Sequence, residues 1–274
     1  MEIKQSVSVG IMNKLYTMLR NLRLFNQAVT VATVLSIIAV AGITDISEIL
    51  LLVLSILFAS IFVFSFNNVF DIKEDLKKND AKSNPVALKA LGGRSALLVS
   101  SLFAILALAL ASFLSMERLA LISAFIFVGG LYSMPPIRLK ERPPLDIIAH
   151  TVLLGPVIVL LVTTNVTGPV FYLFVFYTLI AFLGQIWNQL SDFYVDKKTF
   201  LISIGLKNGK ALYSASCAVG LLFFIYEFSI YQKISLLIAA ALFLYSLFKY
   251  KPGKYAFEIW AIFFLFAIAS IFGV

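Results

Sequence analysis

The strongest constraint on this chain is a succession of apolar runs, each about as long as a bilayer is thick. Nine such runs, at about 24–43, 47–66, 95–114, 118–134, 145–164, 168–190, 210–228, 233–249 and 255–274, are joined by polar segments. Roughly 20 apolar residues cross the hydrocarbon core as an α-helix. Lipid offers the backbone no hydrogen-bond partners, so a spanning segment must be a helix or part of a closed barrel. A barrel requires shorter segments of alternating polarity, and the runs do not alternate. The expected fold is an all-α polytopic membrane protein, one transmembrane domain over 1–274 with nine helices.

Composition enters as a check. The chain is 61% hydrophobic and 13% charged, against about 45–50% and about 25% in soluble domains. A water-soluble single-core protein and a disordered chain are both excluded. A net charge of +8 in a soluble protein would suggest nucleic acid. In a membrane protein it marks cytoplasmic loops, and no nucleic-acid partner is expected.

The basic residues test the span count. With the N-terminus cytoplasmic, the inner segments carry Lys4, Lys14, Arg20 and Arg23; Lys73, Lys77, Lys78, Lys82, Lys89 and Arg94; Arg138, Lys140 and Arg142; Lys197, Lys198, Lys207 and Lys210; and Lys249, Lys251 and Lys254. The outer segments carry only Arg118 and Lys233. This asymmetry supports nine spans with the N-terminus inside. The first run is long, lacks a small-residue cleavage site and is followed by further spans, so it is not expected to be a cleaved signal. The single cysteine, Cys217, and single histidine, His150, both lie in apolar stretches. Cys217 is expected to pack as a small hydrophobe, and no His/Cys cluster suits zinc.

Acidic residues are scarce and clustered. Six of the 14 fall in two segments. One runs Asn67-Asn68-Val69-Phe70-Asp71-Ile72-Lys73-Glu74-Asp75, with Asp80 following. The other runs Asn188-Gln189-Leu190-Ser191-Asp192-Phe193-Tyr194-Val195-Asp196. Both read N-x-x-x-D-x-x-x-D, 121 residues apart, at the cytoplasmic ends of the second and sixth expected spans. On a helix, residues four apart share a face, so each segment presents one amide and two carboxylates in a stripe. Carboxylates gathered beside lipid need compensating cations. Mg²⁺ takes one or two carboxylates plus substrate phosphates and water. Two facing stripes would hold a pair of metal ions that clamp a diphosphate.

Complementary charge follows the fourth span in Tyr132-Ser133-Met134-Pro135-Pro136-Ile137-Arg138-Leu139-Lys140-Glu141-Arg142-Pro143-Pro144-Leu145-Asp146. Its prolines predict a stiff, non-helical hairpin, with Arg138, Lys140 and Arg142 alternating along an extended strand. Their cationic groups suit phosphate oxygens.

These three segments together resemble the UbiA superfamily of intramembrane prenyltransferases. The resemblance is carried by Asn67/Asp71/Asp75, Asn188/Asp192/Asp196 and Tyr132-Ser133 through Arg138-Leu139-Lys140. Arg23-Leu24-Phe25-Asn26, opening the first run, is similar to the family's start. The resemblance spans nearly the whole chain. It implies nine helices around a central cavity and Mg²⁺-dependent transfer of an isoprenyl chain from a polyprenyl diphosphate (geranylgeranyl or similar) to a lipophilic acceptor in the bilayer. It implies two Mg²⁺ ions, one on Asp71 and Asp75 and one on Asp192 and Asp196, with Asn67 and Asn188 in support. Tyr132, Arg138, Lys140 and Arg142 are implied on the diphosphate, with Lys140 among the catalytic group. The expected place is the cell membrane, with the site toward the cytoplasm. Asn26, Asp146 and His150 are candidates for the acceptor side, the last two one helical turn apart.

Two segments depart from the family pattern. Lys82-Ser83-Asn84-Pro85 lacks the arginine of an N-R-P-type stretch, and Asp196-Lys197-Lys198-Thr199 is shortened before its threonine. Asn68-Val69-Phe70-Asp71 and Tyr132-Ser133-Met134-Pro135-Pro136 look closest to the lycopene-elongase-like and archaeal members. The main alternative is a transporter with paired acidic helices. A transporter would place its acids near mid-bilayer, whereas these lie at helix ends. A CDP-alcohol phosphotransferase would need a D-G-x-x-A-R stretch, which does not occur.

Overall fold

The computed structural model describes residue 16 and residues 19–76, 92–194 and 198–227, without the side chains of 24–26 and 221–227. The expected spans 233–249 and 255–274 lie outside the described residues. Among the described residues there is no β-strand. The helices are α1 (Leu24–Ala41), α2 (Ile46–Phe70), α3 (Ile72–Asp75), α4 (Gly93–Ala111), α5 (Met116–Ser133), α6 (Leu145–Leu154), α7 (Pro156–Val162), α8 (Pro169–Ser191), α9 (Phe200–Ile204) and α10 (Leu206–Glu227). Five segments are long and apolar enough to cross a membrane: α2, α4, α5, the α6–α7 pair over Leu145–Val162, and α8. The chain is a multi-pass membrane protein.

Packing follows from small residues. Between helices in lipid, hydrophobicity supplies no drive, so close approach and hydrogen bonds hold the bundle. α2 packs along α4, where Ala59, Ala96 and Ala107 are fully buried and Ser65 Oγ donates to Ser100 Oγ at 2.7 Å. Val34, Ile37, Ile56, Phe125 and Val159 join α1, α2, α5 and α7 in one core. A second core groups Ile147, Leu183, Ile186, Leu201 and Tyr213 from α6, α8, α9 and α10. Leu98, Leu102 and Ile105 form an exposed apolar stripe on α4. That stripe faces solvent at no cost when the solvent is lipid.

Helix ends sort into two groups. At one, Arg118 reaches Glu48 at 2.5 Å and donates to the Val162 carbonyl at 2.9 Å, joining the starts of α2 and α5 to the end of α7. At the other lie the end of α2, the end of α5 and the start of α6. Arg118, one of the two basic residues expected on the outer side, is thus spent on tying helix ends together.

The expected span 145–164 is two helices. Gly155 breaks it at φ −105°, ψ −100°, and the following Pro156 opens α7. Pro disfavours helical backbone in the residue before it. α8 also comes close at Gly155: a Cβ there would stand 2.7 Å from both the Thr151 carbonyl oxygen and the Thr178 Cα. Both are backbone atoms and neither can swing aside. Gly155→Ala is expected to destabilise the bundle by about 1–3 kcal/mol, the usual cost of overpacking. A lowered thermal midpoint in detergent checks this.

Candidate active site

The first acidic stripe sits where α2 ends. The helix closes at Phe70, and Asp71 is both its C-terminal boundary and the start of α3. Helical spacing nonetheless continues: the Asp71 amide bonds to the Asn67 carbonyl at 3.0 Å and the Asp75 amide to the Asp71 carbonyl at 2.8 Å. Asn67, Asp71 and Asp75 therefore stay on one face. All three are half-buried. Asn67 Oδ1 accepts from Ser133 Oγ at 2.6 Å, which fixes it against the end of α5.

The basic hairpin meets this stripe. Lys140 is ion-paired with Asp71. Arg138 lies 3.5 Å from Asp71, 2.9 Å from Glu74 and 2.6 Å from Glu141. Burial pushes the Glu74 carboxyl up, but the Arg138 hydrogen bond and the Arg138 and Lys140 charges outweigh it, leaving the group below its ordinary range. Arg142 is exposed and turns back onto the Pro136 carbonyl at 3.0 Å, within the hairpin.

The hairpin is not the extended strand that alternation predicted. Leu139–Glu141 form a 3-10 turn. Arg138 takes the left-handed region at φ 41°, the Glu141 amide bonds to the Arg138 carbonyl, and the Arg142 amide to the Leu139 carbonyl, each at 3.0 Å. With this curl Arg138 and Lys140, two residues apart, both reach the same Asp71 carboxylate.

A third cation completes the cluster. Arg23, immediately before α1, is also left-handed, at φ 49°. Its guanidinium bonds to Asn68 Oδ1 and lies over the Phe64 ring, 5.9 Å from the centroid. Asn68 in turn donates to Asn21 Oδ1 at 3.1 Å. Burial pulls the Arg23 guanidinium down from its ordinary range, and the Asp75 and Asp71 carboxylates oppose that shift. A left-handed non-glycine residue costs about 1–2 kcal/mol. Arg23 and Arg138 are the non-glycine residues with positive φ among those described, and both serve the first acidic stripe.

The second stripe follows the same local plan. α8 closes at Ser191, and the Asp192 amide bonds to the Asn188 carbonyl at 3.1 Å. Asn188 is exposed and Asp192 half-buried. Asp196 lies outside the described residues, as does the Asn26 side chain. Nearby, Tyr132 accepts from Gln185 Nε2 at 3.0 Å, and its ring lies 6.4 Å from that of His150. Asp146 and His150 have different partners. Asp146 accepts from Gln189 Nε2 at 2.8 Å and from the Phe200 amide at 2.7 Å, while His150 lies near Tyr132 and takes part in neither bond.

Comparison with known proteins decides the family. The sequence profile of the UbiA prenyltransferase family matches residues 28–254. The chain belongs to the UbiA prenyltransferase family. Its fold is similar to that of a UbiA homolog from Archaeoglobus fulgidus bound to GPP and Mg²⁺. The TM-score is 0.72 at 18% identity, over 94% of this chain and 100% of that one. The same homolog bound to DMAPP and Mg²⁺ gives a TM-score of 0.70 at 18% identity, over 94% and 99%. A digeranylgeranylglyceryl phosphate synthase gives 0.62 at 21% identity, over 94% and 95%. No curated protein sequence matches the chain.

In this UbiA-family chain, the sequence reading placed Arg23 among the positive-inside residues and in the family-like start, and assigned no site role to it or to Asn21, Asn68, Gln185 and Gln189. A usable signal existed for the glutamines. Gln185 and Gln189 stand four apart in an otherwise apolar span, where an uncharged polar pair is costly unless it is bonded. No such signal marks Arg23, whose role depends on the long-range approach of Asn68 and Asp75.

Proposed function

We propose that the chain is a Mg²⁺-dependent prenyltransferase. It moves an isoprenyl group from a polyprenyl diphosphate, geranylgeranyl or similar, to a lipophilic acceptor within the cell membrane, and releases diphosphate on the cytoplasmic side. The observation that carries this is the convergence of Asp71, Lys140, Arg138 and Glu74 at one helix end. The family is one of prenyltransferases, and a relative of the same fold binds GPP and Mg²⁺.

The donor set fits the metal. Among the described residues no three His, Cys, Asp or Glu side chains form a complete ligand set. A hard cation that takes one or two carboxylates and fills its shell with phosphate and water needs no such set. In this proposal Asp71 and Asp75 hold one ion with Asn67, and Asp192 and Asp196 hold the other with Asn188. When bound, Mg²⁺ neutralises phosphoryl oxygens and stabilises the departing diphosphate.

The chain's own residues do the rest. Lys140 and Arg138 hold non-bridging oxygens as negative charge grows on them, with Arg142 at the hairpin's exposed edge. Tyr132, fixed by Gln185, orients the diphosphate. The C–O bond breaks, its electron pair leaves with the diphosphate, and the allylic carbon bonds to the acceptor, which gives up a proton. The apolar bundle keeps water from the allylic cation. Phe62, Phe66 and Phe70, with successive rings 4.9 and 4.8 Å apart, run along α2 toward Asp71 and offer ring faces nearby.

Purified protein in liposomes, given labelled geranylgeranyl diphosphate and membrane lipid extract, is expected to release diphosphate and form a labelled lipid only when Mg²⁺ is present. Ion or solute flux across the vesicle with no labelled product would assign the acidic helices to transport instead.

A further inference from the structure

Asp146 is fully buried at the start of α6, beside the hairpin yet apart from its ion pairs. Its Oδ2 takes two donors from two other elements: Gln189 Nε2 near the end of α8 at 2.8 Å, and the Phe200 amide opening α9 at 2.7 Å. Gln189, also buried, uses its other end as well, since its Oε1 accepts from the Leu201 amide at 3.1 Å. Three hydrogen bonds among Asp146, Gln189 and the first residues of α9 thus bracket the chain that carries Asp192.

The bracket sets a rotation. At about 100° per residue, Asn188 lies about 100° behind Gln189 around α8, and Asp192 about 60° behind it. With Gln189 held toward α6 and α9, the Asn188–Asp192 stripe has one permitted direction. Leu201 is fully buried in the second core, so α9 cannot follow if the helix turns.

We propose that Asp146 and Gln189 are positioning residues that orient Asn188 and Asp192, coupling the basic hairpin's far end to the Asp192 carboxylate. This rests on the diphosphate reading of the site. Outer partners of metal ligands typically change affinity by about 10–100-fold when removed.

The test measures Mn²⁺ binding by electron paramagnetic resonance, with inorganic pyrophosphate present, on the full chain in detergent. Asp146→Ala and Gln189→Ala should each weaken Mn²⁺ binding by about tenfold. The double variant should be weaker by less than the product of the two single effects, because the Asp146–Gln189 bond they share is lost only once. Asp146→Asn keeps an oxygen that accepts both N–H groups and should stay within about threefold of the parent. If Asp146→Ala does not fold, Gln189→Ala and Asp146→Asn suffice. Normal Mn²⁺ binding in Gln189→Ala would overturn the proposal, and a lowered thermal midpoint beside it would leave a purely architectural bracket. A higher amount of membrane lipid extract needed for half-maximal labelled product, with unchanged Mn²⁺ binding, would also overturn it, assigning Asp146 to the acceptor. If the parent protein binds neither Mn²⁺ nor pyrophosphate, the diphosphate reading itself fails, and the bracket's role with it.

Discussion

Asp71→Ala is expected to lower prenyl transfer by about a thousandfold or more, on the scale seen when one preorganised stabiliser of developing charge is removed. Two losses combine. In the proposed function the carboxylate is a metal ligand, and in the structure it is the shared partner of Lys140 and Arg138. Without it, two half-buried cations at 17% exposure lose the carboxylate they share and repel one another with less to balance them. Asp192→Ala is expected to act as strongly, through the other stripe. Single-turnover release of labelled diphosphate from each variant gives the measurement. Parent-like turnover in Asp71→Ala removes the α2 carboxylate from the reaction.

Lys140→Met is expected to push two readouts in opposite directions. Transfer should fall by about a hundredfold, because a cation that stabilises the leaving diphosphate is gone. Mn²⁺ binding in the absence of any diphosphate should instead tighten, by about tenfold. In the proposed function Lys140 and a metal ion compete for Asp71, and unit charges a few ångströms apart near a protein surface interact by up to about 4 kcal/mol before solvent screening reduces it. The gain should shrink as salt is raised, since the site is partly open to water. Titrating Mn²⁺ with and without pyrophosphate in the parent and the variant separates the two effects. Weaker Mn²⁺ binding in both conditions would mean that Lys140 supports the metal site rather than competing for it.

How much of this was legible beforehand depends on the range of the interaction. Apolar runs are local and long, and α1, α2, α4, α5 and α8 begin within a few residues of the expected 24, 47, 95, 118 and 168. The break at Gly155 was also local. Gly-Pro was there to be used, and run length overrode it. The acidic stripes were visible because helical spacing is a short-range regularity and acids are rare in this chain. The curl of the basic hairpin was not, because proline content says where a helix stops but not where an arginine will find its carboxylate. Asp146 and His150 show the same limit. Four-residue spacing placed them one turn apart, while Gln189 and Phe200, 43 and 54 residues further on, claimed Asp146.

The balance of charge at the end of α2 has a consequence for how such a protein matures. Arg23, Arg138 and Lys140 stand among Asp71, Glu74, Asp75 and Glu141, so the acids come off the ribosome with their own counter-ions. A zinc finger waits for its ion before it has a shape. On the proposed function, insertion, helix docking and quality control can finish in a cell starved of divalent cations, and the cation would be acquired afterwards by exchange at a finished surface. Chelation should therefore silence the protein without unfolding it, and restoring the ion should revive it without a chaperone.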